Sequence, residues 1–149
     1  MYRSQQFPEP KKKAVVFDLD GTLADTMKWK KHHKHDHPKF AKEALKVGTI
    51  KKNVNKIREW HEQGDDVIIL TARSAHYEDE TKKWLDKNDI PYDQLLMRPA
   101  DDSKTKDPVI KERILKADVL PKYDVVKAYD DKRKNVKMYR EHDIPTKKV

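Results

Sequence analysis

Asp18 and Asp20 stand two residues apart, directly after the apolar run Ala14-Val15-Val16-Phe17 and ahead of Gly21-Thr22-Leu23. Residues two apart in an extended chain project to the same side, so both carboxylates would face one spot at the mouth of a strand. One could attack an electrophile while the other exchanges a proton beside it. Gly21 would let the backbone turn where a side chain would obstruct it. A strand closed by an ordinary Asp-Gly turn would carry the same residues for local reasons alone, so the chemistry has to be judged by what else reaches this place.

The elements that would bring partners here are legible as an alternation. Val67-Ile68-Ile69-Leu70 is a second buried strand, Leu95-Leu96-Met97 a short third, Val125 to Tyr129 a fourth and Thr146 to Val149 a fifth. Between them, Ile50, Val54, Ile57 and Trp60 recur at helical spacing and stop at Gly64, and Tyr77, Thr81, Trp84 and Leu85 form a second stripe ending before Pro91. Asp107 is expected to cap a third helix with Pro108 at its first position and Ile110, Ile114 and Leu115 inside. Val136, Met138 and Tyr139 mark a shorter fourth. Continuously apolar strands alternating with helices predict a three-layer, Rossmann-like α/β fold with a parallel sheet covered on both faces. Residues 1–12 read as an N-terminal tail, 13–149 as one domain, and about 24–48 as a small inserted lid.

Composition narrows the function classes. The chain has 149 residues, 40% charged and 36% apolar, so its core must come from those few dense runs. There are 34 Lys and Arg against 26 Asp and Glu, a net charge of +8 that suits an anionic partner such as nucleic acid and equally a highly charged, soluble surface. The absence of cysteine excludes disulfides, thiol catalysis and cysteine zinc sites. Neither a signal core nor a run of membrane-spanning length occurs, so a soluble cytoplasmic protein without membrane contact is expected.

Ligands of open parallel sheets bind beyond the carboxyl ends of the strands. Asp18 and Asp20 follow the first strand there, Thr71 and Arg73 the second, Arg98 the third, and Asp130 and Asp131 the fourth. Lys111 joins them by geometry: its helix descends about 16 Å and the following strand climbs back by a similar amount, returning Asp130 to the edge that Lys111 left.

With these residues in place, the chain resembles the haloacid dehalogenase (HAD) superfamily of phosphatases. The matching motifs are Asp18-Leu19-Asp20-Gly21-Thr22, Ile69-Leu70-Thr71-Ala72-Arg73, Lys111, and Asp130-Asp131. Arg73, the pair Met97-Arg98, the stretch Lys104 to Lys111 and the step from Lys111 to Asp130 resemble the branch of polynucleotide 3'-phosphatases found in bacteriophage kinase-phosphatases. Lys132 stands where that branch would have Arg, residues 28–40 match nothing in it, and the only glycines, Gly21, Gly48 and Gly64, leave no kinase phosphate-binding loop.

The resemblance implies a set of roles. Asp18 would attack phosphorus to form an aspartyl phosphate, and Asp20 would protonate the leaving alkoxide and later deprotonate water. An ordinary Asp titrates near pH 4, so Asp20 needs a perturbing environment to act as an acid. Mg²⁺ would be held by the Asp18 and Asp130 carboxylates and the Asp20 carbonyl, with Asp131 orienting a bound water. Thr71 and Lys111 would hold the phosphoryl oxygens, helped by free N–H groups at Gly21 and Thr22. Arg73 and Arg98 would bind the substrate phosphate or the adjoining nucleotide.

The expected partners are 3'-phosphate ends of DNA or RNA, and a separate kinase or ligase. A phosphatase of nucleotides or other small phosphometabolites, and an inactive nucleic-acid-binding module, are the alternatives. His32, His33, His35 and His37 among lysines read as a solvated basic patch. Trp29 is a candidate for base stacking, whereas Trp60 and Trp84 belong to helical core stripes.

Overall fold

A computed structural model describes residues 10–26 and 43–149. Five parallel strands run in the order β3-β2-β1-β4-β5, with β1 Lys12–Phe17, β2 Asp66–Ser74, β3 Gln94–Arg98, β4 Tyr123–Asp130 and β5 Thr146–Lys148. The three-layer α/β expectation therefore holds. The first strand starts at Lys12, inside the segment read as a tail. The second is longer than its apolar run, because Thr71 to Ser74 continue it through a register shift against β3. Most of the lid segment, with Trp29 and the four histidines, lies outside the described residues.

Among the described residues, four α-helices cover the sheet: α1 Lys51–Glu62, α2 Glu78–Lys87, α3 Asp107–Ile114 and α4 Arg133–Glu141. On one face, Val54 and Ile57 of α1 and Trp84 and Leu85 of α2 pack with Val15, Phe17, Val67 and Ile69. On the other, Ile110 and Ile114 of α3 and Met138 and Tyr139 of α4 pack with Ala14, Val16, Ile68 and Leu70. Successive residues of β1 thus feed opposite cores, and Ala14 to Phe17 are all fully enclosed. Burial of each Val or Phe side chain is worth about 1.5–3 kcal/mol, which anchors the strand that carries the two aspartates.

Winding reverses beside β1. The chain steps outward from β1 to β2 and β3, then crosses back to add β4 and β5 on the far side. A crevice opens beyond the strand ends at such a switch point, here between β1 and β4.

One expected cap is corrected. Lys106 is the N-cap of α3 and contributes no side-chain cap, while Asp107 already lies inside the helix. The Asp107 carboxylate is drawn away by cations, accepting from Arg98 at 2.9 Å and from Lys132 Nζ at 2.7 Å.

Candidate active site

The two aspartates behind β1 meet different cations. Asp18 Oδ1 accepts from Lys111 Nζ at 2.7 Å, and its Oδ2 accepts from the Thr22 hydroxyl at 3.1 Å. Lys111 Nζ also donates to Asp130 Oδ2 at 2.7 Å, so the return of Lys111 and Asp130 to one edge is realised. This ion pair is nearly closed to solvent, with Lys111 1% and Asp130 0% exposed. Burial alone would lower the Lys111 ammonium, but Asp18 and Asp130 outweigh it and hold the lysine above its ordinary value.

Asp131 completes a cluster. One ligand oxygen each from Asp18, Asp130 and Asp131 lies within 4.8 Å of the others. Burial and the adjacent Asp18 push the Asp131 carboxyl up to about 7, and burial and Asp18 likewise raise Asp130 against the pull of Lys111. Three carboxylates against one ammonium leave an excess of two negative charges when all are ionised. Oδ1 of Asp131 is buried and accepts no hydrogen bond among the described residues. Hard oxygen donors, that charge and an unsatisfied acceptor fit a divalent cation of the Mg²⁺ type.

Asp20 faces the other way. Arg73 grips its carboxylate with two nitrogens, Nη2 to Oδ1 at 2.6 Å and Nε to Oδ2 at 3.2 Å, and the Thr26 hydroxyl donates to Oδ1 at 3.0 Å. The remaining Arg73 nitrogen donates to Thr81 Oγ1 at 2.9 Å. The Asp20 carboxylate is therefore apart from the acidic cluster of Asp18, Asp130 and Asp131.

Several expected ligand contacts are taken up by the protein. The N–H of Gly21 donates to Ala24 O and that of Thr22 to Leu19 O, because residues 19–24 wind into a tight turn; neither N–H is free for phosphate. Gly21 matters for space instead. It adopts φ +83°, and a Cβ there would run into the Asp131 carboxylate. Arg98 donates from Nε to Ala72 O at 2.8 Å, from Nη1 to Thr105 O at 2.6 Å and from Nη2 to Asp107, which ties the 99–107 loop to β2. Thr71 Oγ1 accepts the Arg73 N–H at 3.0 Å where the β2 register shifts, which keeps its own hydrogen available among the described residues.

Four supporting residues escaped the sequence reading. Asn135 donates to Asp130 Oδ1 at 3.2 Å, Asn53 to Thr22 O at 2.8 Å, and Thr26 and Thr81 hold the Asp20–Arg73 pair. The available signal was a polar residue on an inward helical position, as Asn53 and Asn135 each stand next to a buried valine.

Residues 12–149 match the family described as the polynucleotide kinase PNKP phosphatase domain. The chain belongs to that family. It is 30% identical over 135 residues, 90% of its length, to an inferred bifunctional polynucleotide kinase/RNA ligase of Autographa californica nuclear polyhedrosis virus, of which it spans 19%. A chain in the structure of a Pnkp1/Rnl/Hen1 complex superposes with TM-score 0.82 and 31% identity, covering 95% of this protein and 47% of that chain. The class C acid phosphatase from Bacillus anthracis shares the fold, with TM-score 0.65 and 18% identity over 88% of this protein and 56% of that chain. This PNKP-type phosphatase domain thus corresponds to less than half of the first two relatives. No helix among the described residues is long and apolar enough to cross a membrane.

Proposed function

We propose that the protein removes the 3'-terminal phosphate from DNA or RNA through an aspartyl phosphate, with Mg²⁺ as cofactor. The observation that carries this reading is the division of labour between Asp18, set against Lys111 and the acidic cluster, and Asp20, set against Arg73.

Lys111 and Thr22 fix the Asp18 carboxylate so that one oxygen can attack phosphorus in line with the departing 3'-oxygen. As the phosphorus–oxygen bond to the sugar breaks, its electron pair goes to the 3'-oxygen, which takes the proton carried by Asp20. Asp20 then removes a proton from water, the water oxygen attacks phosphorus, and the bond to Asp18 breaks to release phosphate. Arg73 and Thr26 orient Asp20 through both steps, and Thr71 and Lys111 offer donors to the phosphoryl oxygens. A Mg²⁺ ion held by Asp18, Asp130, Asp131 and the Asp20 carbonyl would neutralise phosphoryl charge. Arg98 acts indirectly, by holding the loop that carries Asp107 and the start of α3.

The substrate assignment draws on the net charge of +8 and on family membership. Relatives named for kinase, ligase and a Pnkp1/Rnl/Hen1 complex support a place in nucleic-acid end repair, beside kinase or ligase activities. The test compares phosphate release, with and without Mg²⁺, from 3'-phosphorylated and 5'-phosphorylated oligonucleotides and from sugar phosphates. Strong preference for the 3'-phosphorylated oligonucleotide is expected; equal or better turnover of sugar phosphates would refute it.

A further inference from the structure

Two of the helices that begin at the catalytic edge, on opposite faces of the sheet, carry opposite charge. α2, beside β3 and β2, opens with Glu78, Asp79 and Glu80, and residues 74–93 hold three Lys or Arg against six Asp or Glu. α4, packed against β4 and β5, opens with Arg133 and Lys134 and has no acid in its first turn; residues 132–149 hold seven Lys or Arg against two Asp or Glu.

Acids at a helix N-terminus complement its positive end, whereas cations there oppose it. The first turn of α2 follows this local rule and that of α4 breaks it. Arg133, Lys134 and Lys137 are exposed and, at 100° per residue, fall within one arc of about 40° plus 60° on the solvent side. None of the three, nor Lys148, forms an ion pair among the described residues, so no described carboxylate neutralises their charge. Arg140 is set aside, because its guanidinium donates to Thr146 O.

The patch adjoins the site. α4 starts three residues after Asp130, and Lys148 is the register partner of Asp130 across the β4–β5 pair. α1 offers a weaker rival: Lys51 and Lys52 are exposed in its first turn, but Lys56 pairs with Glu59 at 2.9 Å and Glu62 follows.

We propose that the sugar-phosphate backbone of the substrate strand leaves the active site over α4 and the end of β5, held by Arg133, Lys134, Lys137 and Lys148, and is turned away from α2 by its acidic first turn. This rests on the polynucleotide reading above and adds the direction in which the strand runs. It requires that affinity depend on where the positive charge sits, beyond how much there is.

The test sets Arg133→Ala/Lys134→Ala/Lys137→Ala against Lys51→Ala/Lys52→Ala/Lys56→Ala, which remove equal charge from two exposed helix faces. Binding of a fluorescent single-stranded twelve-mer with a 3'-hydroxyl is measured across a salt series, and turnover on the 3'-phosphorylated twelve-mer and on a nucleoside 3'-phosphate. The α4 triple should weaken twelve-mer binding and raise its KM about tenfold, and flatten the log–log salt slope by about 2. Its turnover of the nucleoside 3'-phosphate should stay within about twofold of wild type. The α1 triple should change twelve-mer binding by less than about twofold. An α4 triple that binds like wild type, or an α1 triple that loses as much, overturns the path. A wild-type enzyme that treats the twelve-mer no better than the nucleoside 3'-phosphate overturns the polynucleotide reading itself, and the path with it.

Discussion

The β4 side and the β2 side of β1 each hold one aspartate, and they treat it differently. Toward β4, Asp18 shares a buried lysine with Asp130 beside a third carboxylate, that of Asp131. Toward β2, Asp20 is gripped by Arg73, with two threonine hydroxyls arranged around the pair. Excess negative charge on the first side suits a cation and a phosphoryl group. On the second side, a two-point grip fixes the position and orientation of the carboxylate. Two identical residues thus meet different cations in different surroundings.

Removing the Asp18 carboxylate is expected to cost the most activity. Asp18→Asn should reduce turnover by about 10⁴-fold or more while leaving the circular dichroism spectrum and urea midpoint close to wild type; activity surviving the change would remove Asp18 as nucleophile. Lys111→Met strips the cation from the β4 side and leaves buried carboxylates facing one another, a loss of about 3–5 kcal/mol in urea unfolding. Adding Asp130→Asn to that variant should recover part of the loss, and no recovery would mean that Lys111 matters chiefly by packing.

The β2 side is probed by Arg73→Lys, which keeps charge and gives up the two-point grip. If Arg73 positions Asp20, kcat should fall about 10²-fold with KM nearly unchanged; a dominant rise in KM would assign Arg73 to the substrate. Gly21→Ala tests the β4 side through geometry alone. Its Cβ must displace the Asp131 carboxylate, so the Mg²⁺ concentration for half-maximal activity should rise about 10-fold or more.

The smallest effect expected is on pH dependence without metal. Asp131 titrates at about 7 in the fold, above the ordinary carboxylate value. Between those two values the folded state binds the extra proton, so metal-free stability should decline as pH rises from about 4 to 7. Asp131→Asn should flatten that decline in thermal melts recorded in a chelator, and an unchanged slope would place the titration elsewhere.

Much of this was readable along the chain. The apolar runs Ala14 to Phe17 and Val67 to Leu70 marked buried parallel strands because period and composition agree there, and the stripes of α1 to α4 followed the same logic. The descent of α3 and rise of β4 were enough to bring Lys111 to Asp130. Asp107 was misread as a cap, since its side chain is claimed by Arg98 and Lys132, which are remote in sequence or lie on another element. The N–H groups of Gly21 and Thr22 were expected to be free, but local winding of residues 19–24 uses both.

Strand-helix alternation, the strand ends at which chemistry could occur and the residue types present there follow from the order of amino acids, because hydrophobic period and turn chemistry are local properties. Which cation each aspartate meets, that Arg73 and Arg98 face protein acceptors, that Gly21 makes room for Asp131, and that the acidic and basic helices open on opposite faces at one edge emerge only when the chain is folded. Those outcomes depend on distances between residues tens of positions apart, set by sheet order and by how buried charges find partners.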